Sequence, residues 1–218
     1  MTVPAPPRTD WTDLDGPLHA GAPRPLLSRS AEARLGPRHR QVLDELEQLF
    51  LTHGFVGWTI GDLAARVGCS RRTLYELAPS KDELVLVVLD RLLHRRGRSS
   101  LDAIDPSEPY ADQIRSYLTG GVAFELRPTL VRHLADDAPA RRLVDRHYRF
   151  VMSVIERLVV LGVRSGEFRP VDPALVAAMI AGTGLYLGHQ EVAEHVALPS
   201  DHVGDALLDL LMPALRGP

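Results

Sequence analysis

The stretch Thr59–Leu84 reads T-I-G-D-L-A-A-R-V-G-C-S-R-R-T-L-Y-E-L-A-P-S-K-D-E-L and predicts two short helices joined by a turn. Thr59 is placed to cap the first helix, because a threonine hydroxyl accepts from the unpaired N–H groups of a first helical turn. Gly68 falls at the turn, and Ser70 is the expected cap of the second helix. Pro79 ends that helix, since proline cannot continue one. Two short helices after a longer one are typical of a helix-turn-helix DNA-binding unit.

Side chains on the second short helix are suited to contact DNA. Arg71 and Arg72 carry guanidinium groups that donate in pairs to guanine or to phosphate. Neighbouring hydroxyls donate to phosphate oxygens, which positions a protein without reading the base sequence. Lys81 opens the next helix and places a cation beside free backbone N–H groups, a combination that seats a phosphate. The DNA-contacting residues expected on these grounds are Ser70, Arg71, Arg72, Thr73, Tyr75 and Lys81.

Helical spacing of this kind also occurs in plain bundles, but the residues over roughly 38–93 resemble the DNA-binding signature of the TetR family. The resemblance implies a three-helix DNA-binding domain followed by a larger helical domain that binds a small effector and dimerises. It also adds Thr59 to the expected DNA-binding residues. A weaker likeness lies at 162–173, a turn that many family members have before the penultimate helix. The shared positions of the signature are Phe50, Gly54, Phe55, Thr59, Leu63, Ala64, Gly68, Ser70, Thr73, Leu74, Tyr75, Ser80, Lys81, Glu83 and Leu84.

The end of the second short helix departs from the family pattern. The family usually has histidine or tyrosine and then phenylalanine where this chain has Leu77 and Ala78. In the family the first of these commonly contacts phosphate and the second packs between helices, so part of the expected phosphate contact is missing here. Arg72 stands where the family often has glycine, and we interpret it as a replacement contact or as a base-reading residue.

Overall composition restricts the classes of function. The chain has 218 residues, 45% of them hydrophobic and 24% charged, which is typical of a globular protein long enough to form a core without disulfides or metals. Its net charge of −3 argues against a general nucleic-acid binder, so DNA binding must come from a local patch. The single cysteine, Cys69, excludes an internal disulfide, and we find neither a signal peptide nor a membrane-length apolar run. We expect a cytoplasmic protein in which Cys69 is a small buried hydrophobic residue.

Apolar periodicity predicts an all-α protein. Residues 1–36 are rich in Pro, Gly and Ala and have little periodicity, so we expect a disordered arm. Residues 37–82 are the expected helix-turn-helix DNA-binding domain, and residues 83–218 are the expected helical effector-binding and dimerisation domain. Outside the two short helices, we predict helices over roughly 38–53, 80–96, 110–124, 128–136, 140–162, 173–194 and 201–215.

The helices after the DNA-binding domain contain four candidate effector-binding residues. Aromatic and histidine side chains there would line a mostly apolar pocket with a few polar groups. Each is equally consistent with an ordinary core aromatic residue or a hydrogen-bonded core histidine. The candidates are Tyr117, Phe124, His147 and Tyr186.

The helix that begins at Pro173 is expected to take part in dimerisation. It carries many small residues, which let helices approach closely, and with the last helix it would form a four-helix interface with a symmetry mate. The alternative is that both helices pack only within one protomer. The small residues are Ala177, Ala178, Ala181, Gly182, Gly184 and Gly188.

Neither a catalytic site nor a metal site is predicted. Glycine-rich phosphate loops and G-x-S-x-G motifs are absent from the sequence. Two loose groups of histidines and carboxylates match neither H-E-x-x-H nor H-x-x-E-H. We therefore expect no cofactor and no enzymatic activity. The two groups are His189, Glu191, Glu194 and His195, and His133, Asp136 and Asp137.

Together, these expectations predict a sequence-specific transcriptional regulator. It would bind a pseudo-palindromic, double-stranded DNA operator as a homodimer. A small-molecule effector would release it by favouring a conformation in which the two recognition helices no longer match the half-sites. Repression of transcription is common in the family, so we expect a repressor. The alternative is a helical small-molecule-binding protein whose DNA binding is weakened or lost, which Leu77 and Ala78 make conceivable.

Overall fold

The computed structural model describes residues 17–120, 137–187, 195 and 200–216, and all regular elements in these ranges are helices. This confirms the all-α prediction. None of the described helices is both long and apolar enough to span a membrane. In chain order the helices are α1 (Arg29–Arg34), α2 (Pro37–His53), α3 (Ile60–Arg66), α4 (Arg71–Leu77), α5 (Lys81–Asp102), α6 (Tyr110–Thr119), α7 (Ala138–Ser165), α8 (Pro173–Leu187) and α9 (Ser200–Arg216).

Helices α2 to α4 and the first half of α5 enclose an N-terminal core. The apolar stripe of α2 faces inward, and Val42, Leu46 and Phe50 are completely buried. Leu63 of α3 and Leu74 of α4 are buried to the same degree. Helices as short as α3 and α4 are not stable alone. Burying one leucine side chain contributes roughly 2 kcal/mol to the free energy of unfolding. The core therefore holds the two short helices in place.

Helix α5 links the two halves of the molecule. Leu84 and Val88 lie in the N-terminal core, and Leu143 of α7 belongs to the same core. The helix continues through Gly97 to Asp102, beyond the end expected near residue 96. A glycine inside a helix costs roughly 1 kcal/mol relative to alanine, and the packing of α5 against α6 and α7 offsets this cost.

Helices α6 to α9 enclose a second core, in which Ile114 of α6 and Ile180 of α8 are completely buried. Helix α7 lies at its centre and packs against α5, α6 and α8. The chain leaves α7 at Gly166, whose φ of 81° is left-handed. Phe168 then packs on Gly162, where a Cβ atom would lie only 2.3 Å from the ring. Glycine at position 162 is therefore required for the turn that precedes α8.

Residues 17–36 pack against α5, whereas the sequence leads us to expect a disordered arm there. The backbone N–H of Leu26 donates to Oδ2 of Asp90 at 2.7 Å. Nε2 of His94 donates to the carbonyl oxygen of Pro23 at 2.9 Å. The segment has few apolar side chains, but polar anchors on α5 order it, and apolar periodicity does not reveal such anchors. The preceding part of the arm lies outside the described residues.

A largely buried ion-pair network fastens α1 and α2 to α5. The side chain of Arg91 is 10% exposed and pairs with Glu32 of α1 at 2.9 Å and with Glu47 of α2. Glu47 is 1% exposed, and its burial raises the pKa of its carboxyl although Arg91 and Arg95 oppose the shift. A buried charge that loses its partner costs about 3 kcal/mol or more. The network therefore ties α5 to α1 and α2.

Candidate nucleic-acid interface

Side-chain caps begin both short helices, as the sequence predicts. The Thr59 hydroxyl accepts from the backbone N–H of Asp62 at 3.2 Å, and the Asp62 carboxylate accepts from the backbone N–H of Thr59 at 2.8 Å, which completes a capping box. The same backbone bond from Thr59 holds the pKa of Asp62 below its usual value. Oγ of Ser70 accepts from the backbone N–H of Thr73 at 3.1 Å. Local hydrogen bonds therefore set where α3 and α4 begin.

The turn between α3 and α4 depends on Gly68, whose φ of 59° is left-handed. Nη2 of Arg38 donates to the carbonyl oxygen of Gly68 at 2.5 Å. The backbone N–H of Cys69 donates to the carbonyl oxygen of Ala64 at 2.9 Å. Arg38 thus ties the start of α2 to the turn, a positioning role that the sequence does not reveal because the two residues lie far apart in the chain.

Helix α4 presents its polar side to solvent. Leu74 is completely buried, while Arg71, Arg72 and Tyr75 are exposed, Tyr75 to 52%. This arrangement follows from helical geometry, because Arg71 and Tyr75 are four positions apart and so lie on the same face, with Arg72 beside them. The outward side of α4 therefore offers two guanidinium groups and a phenol to a ligand.

Arg71 lies across the start of α3. A Cβ atom at Gly61 would lie 2.6 Å from Nη2 of Arg71, so glycine leaves room for the guanidinium beside the start of α3, and a larger residue would make the arginine side chain shift.

Arg72 is a widely exposed basic group on α4, with a side chain that is 88% exposed. Its Nε donates to Glu76 at 3.0 Å, and Glu76 also lies 3.1 Å from Nε2 of His39. The hydrogen bonds from Arg72 and His39 lower the pKa of Glu76. Exposed pairs of this kind contribute at most about 1 kcal/mol, so Arg72 can exchange its carboxylate partner for a phosphate or a base.

Lys81 begins α5 immediately after Ser80, whose Oγ accepts from the backbone N–H of Glu83 at 3.2 Å. The lysine is half-buried, and we find no ion-pair partner for it in the part of the chain that the structure describes. The first turn of a helix has free N–H groups and the positive end of the helix dipole. Lys81 therefore adds its charge to a place that already attracts anions.

The structure explains one of the two departures from the family pattern. Ala78 is 4% exposed and belongs to the N-terminal core, so a small side chain fills the position where the family packs phenylalanine. Leu77 is half-buried and packs against the same core. An apolar side chain at that position provides no donor to a phosphate.

Cys69 is half-buried and packs against the N-terminal core, and burial raises the pKa of its thiol. A raised pKa reduces the thiolate fraction, and the thiolate is the reactive form. These observations agree with the expected packing role.

The described effector candidates lie in different surroundings. Tyr117 is 2% exposed in the second core, and burial raises the pKa of its phenol. His147 is buried against α5, and Tyr186 is 66% exposed on α8. Phe124 and the predicted helix 128–136 lie outside the described residues. The assignment of Tyr117, His147 and Tyr186 to an effector pocket therefore stays a prediction.

A cavity of about 420 Å³ lies between the arm, α5 and α7. A second one of about 310 Å³ lies between α8 and α9. The first has the more polar wall, which includes the guanidinium groups of Arg142, Arg146 and Arg149. Neither cavity is lined by a predicted effector residue.

Helices α8 and α9 both expose large apolar side chains. On α8, Leu175 is 60% exposed and Met179 is 48% exposed, and Leu210 of α9 is 77% exposed. The small residues predicted to face a partner divide between two directions. Ala178 and Gly182 are exposed, whereas Ala177, Ala181 and Gly184 are buried toward the protomer's own core, and Gly188 lies outside the described residues.

The chain is similar to known regulators in sequence and fold. Residues 42–88 match the family model for bacterial regulatory proteins, tetR family. The uncharacterised HTH-type transcriptional regulator YhgD of Bacillus subtilis (strain 168) is 20% identical over 176 residues, which cover 78% of this chain and 92% of YhgD. YfiR of the same strain, also an uncharacterised HTH-type transcriptional regulator, is 27% identical over 150 residues, which cover 65% and 73%. The crystal structure of AibR in complex with isovaleryl coenzyme A and operator DNA has a TM-score of 0.61 and 18% identity, and covers 81% of this chain and 98% of AibR.

Proposed function

We propose that this chain, a member of the TetR family of bacterial regulatory proteins, binds an operator through α4 and is released from it by a small-molecule effector. Residues 37–82 are assigned to DNA binding and residues 83–218 to effector binding and dimerisation. The protein acts in the cytoplasm as a transcriptional repressor and performs no catalysis.

The outward face of α4 carries this proposal. Arg71, Arg72 and Tyr75 are exposed together on a short helix whose buried side and capped start hold it in one orientation. We assign base reading to the two arginines and phosphate contact to the hydroxyl groups and to Lys81. The contact set is Thr59, Ser70, Arg71, Arg72, Thr73, Tyr75 and Lys81.

A homodimer is the functional unit. Leu175, Met179 and Leu210 leave an apolar face of α8 and α9 in solvent, which a second copy would cover with the same face. A twofold axis through this interface presents two recognition helices to half-sites about one helical turn apart, roughly 34 Å.

Effector control acts through α5, which shares the core of the DNA-binding domain and packs against α6 and α7. An effector that binds one position of α5 more tightly shifts the population toward it, by no more than its difference in affinity for the two states. AibR, a structural relative, is seen with isovaleryl coenzyme A and operator DNA together. The effector of the present chain is assigned only as a small molecule of the helical domain.

The decisive experiment is a fluorescence-anisotropy titration of the full chain against DNA flanking its own gene, repeated over a series of salt concentrations. We expect tight binding to a pseudo-palindromic segment and weak binding to a scrambled one. Affinity should fall steeply with salt because phosphate contacts release counterions. A flat salt dependence, or equal affinity for both DNAs, would favour the alternative of a small-molecule-binding protein without specific DNA binding.

A further inference from the structure

Three potential metal ligands meet where α5, α7 and the N-terminal arm converge. Asp90 and His94 stand one turn apart on α5, and His147 comes from α7. Asp90 is 1% exposed and His147 is 7% exposed. One ligand atom from each of the three residues lies within 4.8 Å of the other two.

The distances in this cluster suit a shared ion better than direct hydrogen bonds. Nδ1 of His94 lies 3.4 Å from Oδ2 of Asp90, and Nε2 of His147 lies 3.5 Å from Oδ1. An ordinary N–H···O hydrogen bond is shorter, at about 2.9 Å. Two ligand atoms held about 2.1 Å from a tetrahedral ion are separated by about 3.4 Å.

Two of the ligand atoms are otherwise unsatisfied. Oδ1 of Asp90 and Nε2 of His147 are buried and have no hydrogen-bond partner among the described residues. A buried polar atom without a partner costs roughly 1–3 kcal/mol. A cation satisfies both at once, because a carboxylate oxygen and a neutral imidazole nitrogen each offer it a lone pair.

Outer hydrogen bonds orient the ligands, as they do in metal sites. Nε2 of His94 donates to the carbonyl oxygen of Pro23 at 2.9 Å, and the backbone N–H of Leu26 donates to Oδ2 of Asp90 at 2.7 Å. Nδ1 of His94 also lies 2.8 Å from the backbone carbonyl oxygen of Asp90. Without a metal, a proton on Nδ1 makes that contact, and a bound ion must displace this proton.

We propose that Asp90, His94 and His147 bind one divalent transition-metal ion per protomer and leave a coordination position open for water or a ligand. Two imidazoles and one carboxylate suit Zn²⁺, Co²⁺ or Ni²⁺ better than the oxygen-seeking Mg²⁺ and Ca²⁺. Leu26 and Arg146, which neighbour the cluster, also line the cavity of about 420 Å³. The ion joins α5 to α7 and so couples the DNA-binding domain to the helical domain.

Direct metal binding tests this assignment without any DNA. The full chain, stripped with a chelator, is dialysed against Zn²⁺ or Co²⁺, and the retained metal is measured by mass spectrometry. We expect one ion per protomer and a visible Co²⁺ absorption band typical of mixed nitrogen and oxygen ligands. Asp90→Asn and His147→Gln should lower the affinity roughly 100-fold or more, whereas His53→Gln, which removes an exposed histidine outside the cluster, should leave it unchanged.

Two results would overturn the proposed metal site. If His94 and Asp90 form only an ion pair, the unmodified chain retains no metal after dialysis and gives no Co²⁺ band, which overturns the proposal. Equal retention by Asp90→Asn, His147→Gln and the unmodified chain overturns it as well. If a variant fails to fold, as judged by circular dichroism, the stoichiometry and the Co²⁺ spectrum of the unmodified chain decide the matter.

Discussion

The outward face of α4 and the outer face of α8 and α9 are both exposed, but they are built from opposite chemistry. The first carries Arg71, Arg72 and Tyr75 on a short capped helix. The second carries Met179 and Leu210, which are 48% and 77% exposed. Charged donors are well hydrated until an anion displaces the water, whereas covering large apolar side chains lowers the free energy. In the proposed function, DNA therefore binds the first surface and a second copy of the chain covers the other.

Charge placed on the apolar face should have the largest effect. In Met179→Arg, each protomer buries an unpaired cation at the dimer interface, which costs about 3 kcal/mol or more and weakens association by roughly 100-fold or more. Sedimentation equilibrium measures the dissociation constant. Val56→Arg is the matched control, since Val56 is 51% exposed and lies outside this face. A Met179→Arg protein that stays as dimeric as this control would refute the assigned interface.

Arg72→Ala should have the second-largest effect, which is a change in base preference. If Arg72 reads a base, discrimination at one operator position falls by roughly 1–3 kcal/mol. Selection of bound DNA from a random pool by the variant and by the unmodified protein measures this change. Glu76→Gln, which removes the carboxylate partner of Arg72, should keep the preference and raise affinity. An unchanged base preference and affinity in Arg72→Ala would show that Arg72 neither reads bases nor holds phosphate.

Lys81→Ala should weaken binding uniformly on all DNA sequences. The loss of one phosphate contact per protomer reduces the slope of log affinity against log salt by about 1 for each half-site. Salt-dependent anisotropy titrations measure both quantities. Arg149→Ala, which removes an exposed cation from α7, serves as the control for total charge. The same slope in Lys81→Ala and in the control would exclude Lys81 from the interface.

Thr59→Ala should have the smallest effect, on stability. Loss of the capping box that begins α3 costs about 1 kcal/mol of the free energy of unfolding, which urea denaturation measures. Thr52→Ala removes an exposed threonine inside α2 and should change stability by less than about 0.5 kcal/mol. If the cap contributes nothing, Thr59→Ala and Thr52→Ala will have the same free energy of unfolding.

The DNA-binding helices are predicted well from the sequence because their determinants are local. Thr59 caps Asp62, and Ser70 caps Thr73, each pair three residues apart. The buried side of α4 follows from Leu74 and helical periodicity. The contact residues themselves are predicted from chemistry and from resemblance, and the exposed positions of Arg71, Arg72 and Tyr75 support that assignment.

Other features escaped prediction because they depend on distant residues. Composition predicts a disordered arm over residues 1–36, but in 17–36 hydrogen bonds from Leu26 to Asp90 and from His94 to Pro23 attach the chain to α5. The count of small residues in α8 does not tell which of them face outward, and Ala177 faces the protomer's own core. Tyr117, an effector candidate, is buried in the second core, and its part in effector binding stays a prediction.

By itself, the sequence determined that the protein is all-α, where its short helices begin and end, and that one of them suits DNA. Caps, breakers and apolar stripes act between residues three or four positions apart, so the chain order contains them. Only the tertiary structure decided that large apolar side chains of α8 and α9 stay uncovered, and that His147 meets Asp90 and His94. Those arrangements depend on packing between segments far apart in the chain, which no local pattern specifies.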